Sequence, residues 1–504
     1  MPLVPLVLSL ACTVPTTAPQ EAKSEEPGDA ARKEAPPGEP PRSFTSQHRG
    51  TFHGVEVAYT ATVAETILEN EQGEREAALW SIAYVRDGVT DPAARPVTFL
   101  WNGGPGSASL WLHMGAFGPK RVDVPSDARD DGGPPYGLLD NPGAFLDVSD
   151  VVFVDPVGTG FSRTLGKAEA KDFLGVKQDA RSIARFIRQW ISQHGRWNSP
   201  KFIGGESYGT TRAAAVVREL EGRFDDVAIN GILLISTILD FTIDSNATGN
   251  ELGYVTMLPT MAATAHYHGK AGAGVPLAEF VERARVFALG EYARALLQGE
   301  SLPRAERERV RARLAEFTGL APDYLELANL RVRPDRFQKE LLRERGLTVG
   351  RLDSRYTGRD LDAAGESPDD DPSFYGIDGA YATALNAYLR GPLGVELTEQ
   401  YRVIGGLGGP WDWELDEPFY FNVAPYIGEA MRQNSGLRVL VASGYFDMAT
   451  PFFGAEYSLD RSGVVPERLV FTYYEAGHMM YVNHPSLAKL QDDVRAFLVE
   501  TLAR

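Results

Sequence analysis

Short apolar runs alternate with helical patterns along most of the chain. The helical stretch 180–192 places Ile183, Phe186, Ile187 and Trp190 on one face, which predicts a core-packing helix. The runs that have the composition of buried strands cover residues 96–101, 151–154, 231–235, 437–442 and 468–474, with a further one ending at Ile203. This alternation of strand and helix predicts an α/β fold with a central, mostly parallel sheet.

Two alternating segments precede these runs. Residues 54–63 and 77–85 alternate apolar with polar side chains, and a polar turn at residues 70–73 separates them. This pattern predicts an antiparallel hairpin at the edge of the sheet.

A long stretch with charged helical patterns, residues 249–405, interrupts the sheet-forming segments. Residues 278–287 and 304–317 are examples, each with an apolar stripe on a charged helix. We expect a mainly helical cap inserted between two parts of one core, residues 47–248 and 406–504. Such a cap forms a wall over the strand ends, where this class of fold keeps its ligands.

The most informative motif is Gly205-Glu206-Ser207-Tyr208-Gly209, between a strand-like run and a helical pattern. This spacing is typical of a nucleophile elbow, in which a serine lies on a sharp turn and flanking glycines avoid collisions. The helix after the turn directs its first amides at the serine, which favours a developing oxyanion.

A serine nucleophile needs a base, and the base needs an orienting acid. Asp447 follows the strand 437–442, and His478 follows the strand 468–474. Each alone has a plainer interpretation, as a solvated loop carboxylate or a histidine bonded to backbone. The order Ser207, Asp447, His478, each at a strand end, is that of an α/β-hydrolase and predicts a catalytic triad.

The strand 96–101 runs into the glycine-rich residues 102–107, here called the oxyanion loop. Glycines let backbone N–H groups approach a substrate closely. We predict that the amides of Gly104 and Tyr208 form the oxyanion hole, the alternative being an ordinary Gly/Pro turn.

Five blocks together resemble the serine carboxypeptidase family of the α/β-hydrolase fold. They span most of the chain in the order of the family, and the first is the most specific: residues 101–110, 155–162, 205–209, 443–447 and 477–479. The resemblance implies removal of the last residue of a peptide with a free carboxyl end. It implies the same triad, Ser207, Asp447 and His478, and the same oxyanion donors, Gly104 and Tyr208. It also implies that the terminal carboxylate of the substrate is held by Asn102, Gly103 and Glu206.

The sequence departs from the family at the second acid. Counting along the loop, the glutamate that pairs with Glu206 in the family is Ala116 here. Since two acids in one site raise one pKa strongly, we expect Glu206 to be more ionised and to repel the substrate. His113 and Arg212 are the candidates for a replacement donor. Thr450 stands where the family has a cysteine.

Three classes of function follow from these residues. The first is a serine-type carboxypeptidase, and the second is an esterase or acyltransferase that uses the same triad on non-peptide substrates. The third is a non-catalytic, surface-anchored binding protein, which the presence of all three triad residues disfavours.

The amino-acid composition limits the kinds of molecule that we expect the protein to bind. The net charge of −18 over 504 residues excludes nucleic acid and anionic membrane surfaces as expected partners. No cofactor motif or metal-ligand cluster is present in the sequence, and the oligomeric state cannot be derived from it. The one cysteine, Cys12, excludes an intrachain disulfide and favours a bacterial member of the family.

The N-terminal residues 1–12 form a short apolar run that ends in Ala11-Cys12, similar to a lipoprotein signal. The alternative is an apolar leader with an incidental cysteine. Residues 13–46 are rich in Pro, Ala, Glu and Lys and predict a disordered tether. We therefore expect an exported protein, either periplasmic or held at the membrane through a lipid on Cys12.

Overall fold

The central feature of the computed structural model is a mixed sheet. The structure describes residues 40–222, 226–243, 247–405, 410–415 and 421–503, so the leader and residues 13–39 of the tether lie outside the described residues. In this part of the chain the strands are Ser43–Phe52 (β1), Val55–Glu69 (β2), Arg75–Arg86 (β3), Val97–Trp101 (β4), Lys120–Val122 (β5), Leu138–Asp140 (β6), Asp150–Asp155 (β7), Arg163–Thr164 (β8), Lys201–Ser207 (β9), Gly231–Thr237 (β10), Thr348–Val349 (β11), Thr357–Gly358 (β12), Arg438–Gly444 (β13) and Leu469–Tyr474 (β14).

Helices cover both faces of the sheet and form most of the cap. Within the described residues they are Leu110–Leu112 (α1), Val176–Gln193 (α2), Tyr208–Leu220 (α3), Leu252–Tyr267 (α4), Leu277–Phe287 (α5), Ala293–Gln298 (α6), Arg304–Thr318 (α7), Pro322–Leu327 (α8), Pro334–Glu340 (α9), Pro372–Tyr375 (α10), Asp378–Arg390 (α11), Ala424–Gln433 (α12), Phe452–Asp460 (α13) and His484–Leu502 (α14).

The main sheet has the strand order β1-β2-β3-β7-β4-β9-β10-β13-β14, and β8 pairs with β3. From β7 to β14 every neighbouring pair is parallel. The carboxyl ends of β4, β9, β13 and β14 therefore meet at one edge, and the predicted oxyanion loop, Ser207, Asp447 and His478 follow these four ends. The predicted α/β-hydrolase fold is confirmed.

The predicted hairpin is β2 and β3, which pair antiparallel. It is not the edge of the sheet, because β1 pairs with the outer side of β2. Residues 43–46, which the sequence assigns to the tether, belong to β1. Phe44 stacks on Trp80 of β3, with ring centroids 6.4 Å apart, and this contact ties the start of β1 to the core.

The two faces of the sheet bury separate apolar cores. The predicted face of α2, including Phe186 and Trp190, packs in one core with α3 and α12. On the other face α14 packs with β1–β3 and with α11 of the cap. A third core joins α4, α5 and α7 to Phe446 and Phe452, which flank Asp447. The cap is therefore attached to the loop that carries Asp447.

Among the described residues, no helix combines the length and apolar character needed to cross a membrane. Over the same residues, no three His, Cys, Asp or Glu side chains are grouped as a metal site.

Candidate active site

Ser207 ends β9 and caps the N-terminus of α3. Its backbone has φ 61° and ψ −132°, a left-handed conformation that is strained for a residue with a Cβ. The Thr210 hydroxyl donates to the Ser207 carbonyl (2.7 Å) and accepts from the Ile238 amide (3.0 Å), so the turn is tied to the end of β10. The side chain of Ser207 is partly exposed. The predicted strand–turn–helix context of the motif is present.

The two glycines of the elbow, residues 205–209, allow close packing. A Cβ on Gly205 overlaps the backbone of Gly209, and one on Gly209 lies 3.0 Å from the Trp101 carbonyl oxygen. The elbow therefore admits no side chain at Gly205 without a backbone shift, and a side chain at Gly209 is tightly crowded by the end of β4.

Gly205→Ala is expected to destabilise the fold by at least the ~1–3 kcal/mol of an overpacked core, since backbone must move to admit the methyl group. Urea denaturation measures the free energy of unfolding. Gly133→Ala is the matched control, because a Cβ there meets nothing within 4 Å. Equal stability of the two variants contradicts the packing described for the elbow.

Asp447 and His478 form a buried acid–base pair. His478 Nδ1 lies 2.8 Å from Asp447 Oδ2, and both side chains are almost fully buried. Asp447 Oδ1 accepts from the amides of Ala449 (2.8 Å) and Thr450 (2.9 Å), and Oδ2 accepts from the Thr450 hydroxyl (2.6 Å). These donors fix the carboxylate as an acceptor, so it accepts a hydrogen bond from Nδ1–H, and Nε2 stays unprotonated and available as a base.

The pKa of His478 reflects two opposing effects. Burial lowers it, but the carboxylates of Asp447 and Glu206 outweigh burial and raise the pKa above its usual value. This environment stabilises the imidazolium that forms when the ring accepts a proton.

The loop of His478 is anchored beside the elbow. The Ser236 hydroxyl at the end of β10 donates to the His478 carbonyl (2.5 Å), and the next residue, Thr237, pairs with Ser207. On the cap side the His478 amide donates to the Leu352 carbonyl (2.6 Å). The fold thus places the histidine loop one strand away from the serine, while the reactivity of Ser207 stays a prediction.

The oxyanion loop lies directly on the elbow. A Cβ on Gly103 lies 2.5 Å from the Tyr208 amide nitrogen, so no larger residue fits there. Gly104 has φ 103° and is exposed. Tyr208 is the first residue of α3, and the amides of a first helical turn have no acceptor within the helix. The Tyr208 amide directly follows Ser207, and Gly104 follows the glycine that packs on that amide; that both amides donate to an oxyanion stays a prediction.

The strand-end loop that begins at Asp155 supports the oxyanion loop. Asp155 Oδ1 accepts from the Ser109 amide (2.8 Å) and from the Tyr401 hydroxyl (3.0 Å), and Ser109 Oγ donates to the Val154 carbonyl. Burial raises the pKa of Asp155 to about 6. The sequence shows this loop as a motif, and the structure gives it a positioning role.

Asn102 and Glu206 form a hydrogen-bonded pair beside the serine. Asn102 Nδ2 donates to Glu206 Oε1 (3.1 Å), and its Oδ1 accepts from the Leu112 amide (3.0 Å). Because that amide can only donate, the orientation of the Asn102 side chain is fixed. Gly103, the third residue predicted to bind the carboxylate, lies between Asn102 and Gly104 in the oxyanion loop.

The expectation that Glu206 ionises without a second acid is wrong. Glu206 is 3% exposed, and burial raises its pKa to about 7. Desolvation, together with the charge of Asp447, therefore keeps about half of this carboxyl protonated at neutral pH, without a second acid beside it. Ala116, at the family's second position, is fully buried and leaves no charge there.

Neither candidate for a replacement donor reaches the site. His113 Nε2 is hydrogen-bonded to the Tyr84 hydroxyl (2.7 Å), and burial lowers its pKa to about 3, so it is neutral. Arg212 is fully buried, where it pairs with Asp179 (2.6 Å) and donates to the Asn102 carbonyl. Arg212 thus holds the backbone of the oxyanion loop from the buried side.

Three residues of the site escaped the sequence reasoning: Ser236, Tyr381 and Tyr481. Ser236 has φ 50°, which is unusual for a non-glycine residue, but the sequence carries no signal of it. Tyr481 lies three residues after His478, and both tyrosines interact electrostatically with Glu206. Only proximity to His478 could have indicated Tyr481.

The comparisons with known proteins agree with this geometry. The model of the serine carboxypeptidase family matches residues 72–269, which include the oxyanion loop and the elbow. Serine carboxypeptidase-like 16 of Arabidopsis thaliana is 25% identical over 166 residues, 31% of this chain and 37% of the relative. Serine carboxypeptidase-like 36 of the same plant is 29% identical over 166 residues, 32% of this chain and 31% of the relative. The match thus spans about a third of these relatives' length.

Among solved structures, the chain is similar to Kex1(Δ)p, a prohormone-processing carboxypeptidase from Saccharomyces cerevisiae. The TM-score is 0.51 at 15% identity, and the match covers 87% of this chain and 92% of that one. At this identity the likeness shows the fold. The family match over residues 72–269 confirms the resemblance to the serine carboxypeptidase family that the motifs indicate.

Proposed function

We propose that this protein is a serine-type carboxypeptidase that hydrolyses the C-terminal peptide bond of peptides through an acyl-enzyme. The observation that carries the proposal is the Asn102–Glu206 pair next to Ser207. A neutral buried carboxyl and a side-chain amide offer hydrogen-bond donors to a carboxylate, which a site built for neutral esters does not need.

In the proposed mechanism, Nε2 of His478 takes the proton of Ser207 as the hydroxyl attacks the last peptide carbonyl. The amides of Gly104 and Tyr208 donate to the oxyanion, whose charge is absent in the ground state. His478 then protonates the leaving amine, and the peptide C–N bond breaks. Water repeats the steps on the acyl-enzyme and releases the shortened peptide, while Asp447 holds the imidazole in one tautomer.

The experiment that tests the proposal compares N-blocked dipeptides with free and with amidated C-termini. We expect release of the last residue from the free acids and a much lower kcat/KM for the amides, because the amide cannot accept from Glu206. Equal rates for acids and amides contradict the proposal.

Ala116 favours one alternative, an esterase or acyltransferase with the same triad, because half of the family's acid pair is missing. Turnover of simple esters without any release of amino acids from dipeptides supports that alternative.

The pH dependence is expected to differ between substrate classes. With free acids, kcat/KM falls as pH rises through about 7, where Glu206 loses its proton and repels the substrate. On the acid side it falls as pH drops below the raised pKa of His478, because the imidazolium cannot act as a base. Esters without a carboxylate keep only the acid limb. Profiles of kcat/KM against pH for free acids and for esters measure this difference. Glu206→Gln should remove the alkaline limb that the free acids show. An alkaline limb that is the same with both substrates contradicts the role of Glu206.

We further propose peptides with a free C-terminus as the partners and export from a bacterial cell as the location. Membrane attachment is proposed only through a lipid on Cys12. Mass spectrometry of the mature N-terminus tests this, since a diacylated cysteine at position 12 is the expected product.

A further inference from the structure

Of the buried polar atoms at or next to the elbow that have no hydrogen-bond partner among the described residues, two belong to side chains that influence each other's pKa. They are Oε2 of Glu206 and the hydroxyl oxygen of Tyr481. The two side chains are 3% and 2% exposed, so neither atom lies at the protein surface. Because an unsatisfied buried polar atom costs free energy, such a pair in one place calls for a physical explanation.

The Tyr481 ring packs in space that a glycine leaves open. It lies in the 3-10 turn Met480–Val482, directly after the His478 loop. A Cβ on Gly115 overlaps the Tyr481 ring and lies 2.7 Å from the Tyr381 hydroxyl oxygen. Gly115 adjoins Ala116, so the tyrosine ring packs beside the position at which the resemblance places the second acid.

The groups that face Glu206 leave its two oxygens with different surroundings. The titratable and polar side chains that act on it or feel its charge are His478, Asp447, Asn102, Tyr481 and Tyr381. Asn102 is committed to Oε1. Of the others, Tyr481 is a hydroxyl near enough to Glu206 for each group to influence the pKa of the other. Neither Glu206 Oε2 nor the Tyr481 hydroxyl forms a hydrogen bond with another described residue in the structure.

We propose that Tyr481 is a substrate-positioning residue, whose hydroxyl donates to a lone pair of Glu206 Oε2 and thereby directs the proton that Oε2 carries toward the terminal carboxylate of the substrate, while Oε1 accepts from Asn102. This inference rests on the proposed carboxypeptidase function. No proton changes owner in this step: Tyr481 keeps its proton while donating, and neutral Glu206 keeps the proton that it offers to the substrate. One hydroxyl thus replaces a second carboxyl as the partner of the buried oxygen.

The sign of the effect on Glu206 follows from the direction of the hydrogen bond. A donor to Oε2 stabilises the charged carboxylate and so lowers the pKa that burial raises. Removing the hydroxyl raises the pKa further. Tyr481→Phe is therefore expected to move the alkaline limb of kcat/KM to higher pH, and to raise KM for free-acid dipeptides about tenfold with little change in kcat, the effect of one misoriented hydrogen bond.

The test measures pH profiles of kcat and KM for free-acid dipeptides in the wild type and in Tyr481→Phe. Tyr292→Phe is the matched control, since it removes the buried hydroxyl that donates to the Leu330 carbonyl (2.7 Å) within the cap. In parallel, infrared difference spectra follow the protonated-carboxyl band with pH without turnover, and Glu206→Gln assigns that band.

The inference is supported if Tyr481→Phe shifts two midpoints to higher pH: that of the alkaline limb of the kinetic profile and that of the infrared carboxyl band. Tyr292→Phe should shift neither midpoint. Unchanged midpoints, with only a loss of stability, overturn it and leave Tyr481 as a packing residue. If amidated dipeptides are cleaved as fast as free acids, the proposed function fails, and a carboxyl band that does not shift in Tyr481→Phe then overturns the inference as well.

Discussion

Replacement of Ser207 by alanine is expected to lower kcat by on the order of 10⁶, the largest effect of any single change in this chain. Without the hydroxyl no acyl-enzyme forms, and what remains is the assistance that the oxyanion hole and substrate binding give to water. Stability should change little, because the partly exposed side chain lies at the surface of the elbow. Steady-state kinetics on a blocked dipeptide measure the loss.

A fluorophosphonate probe gives an independent readout of the same change. It should label the wild type and fail to label Ser207→Ala. Ser192→Ala is the control, since Ser192 is an exposed serine at the end of α2 and should leave labelling intact. Undiminished labelling of Ser207→Ala contradicts the assignment of the nucleophile.

Asp447→Asn is expected to reduce kcat by on the order of 10⁴. The carboxylate accepts at both oxygens, from the Ala449 and Thr450 amides, the Thr450 hydroxyl and His478 Nδ1. An amide that retains the bonds to the two backbone donors points its NH₂ group at Nδ1. The ring then takes the other tautomer, in which Nε2 carries the proton and cannot act as a base.

The rise of kcat with pH is the specific readout for Asp447, because its charge raises the pKa of His478. In Asp447→Asn the residual activity should show an acid limb at lower pH than in the wild type. Asp493→Asn is the control: that carboxylate accepts from the Tyr474 hydroxyl (2.7 Å) outside the site. A kcat for Asp447→Asn within tenfold of the wild type contradicts the role of Asp447.

The local pattern of apolar and polar residues was sufficient to predict most strands and helices and to place the candidate triad residues at strand ends. The strand signals that precede Asn102, Ser207, Asp447 and His478 were apolar enough to predict where each strand ends, and a parallel sheet brings such ends together. Strand β1 was missed because its ten residues are mostly exposed or half-buried and Phe44 finds its partner, Trp80, far along the chain.

The hydrogen-bond and ion-pair partners of a side chain were not predictable where they come from distant parts of the sequence. Arg212 and His113 have the reach and chemistry of carboxylate donors, but Asp179 and Tyr84 already engage them. Their burial removes them from the substrate side of the site. Sequence lists what a side chain can bind, and the fold decides what it does bind.

The protonation of Glu206 illustrates the same limit. The sequence shows that the paired acid is missing, and pairing was the one cause of a raised pKa that it could reveal. Burial, which raises the pKa of Glu206 to about 7, is a property of the folded site. For the same reason Tyr481, three residues after His478, carried no sequence signal of its contact with Glu206.

Rapid-quench mass spectrometry during turnover of a blocked dipeptide with a free C-terminus tests the central claim most directly. Acid quenching should trap a protein whose mass has increased by the acyl part of the substrate, and fragmentation should locate the adduct on Ser207. An adduct on another residue, or amino-acid release with no adduct and no loss in Ser207→Ala, contradicts the account.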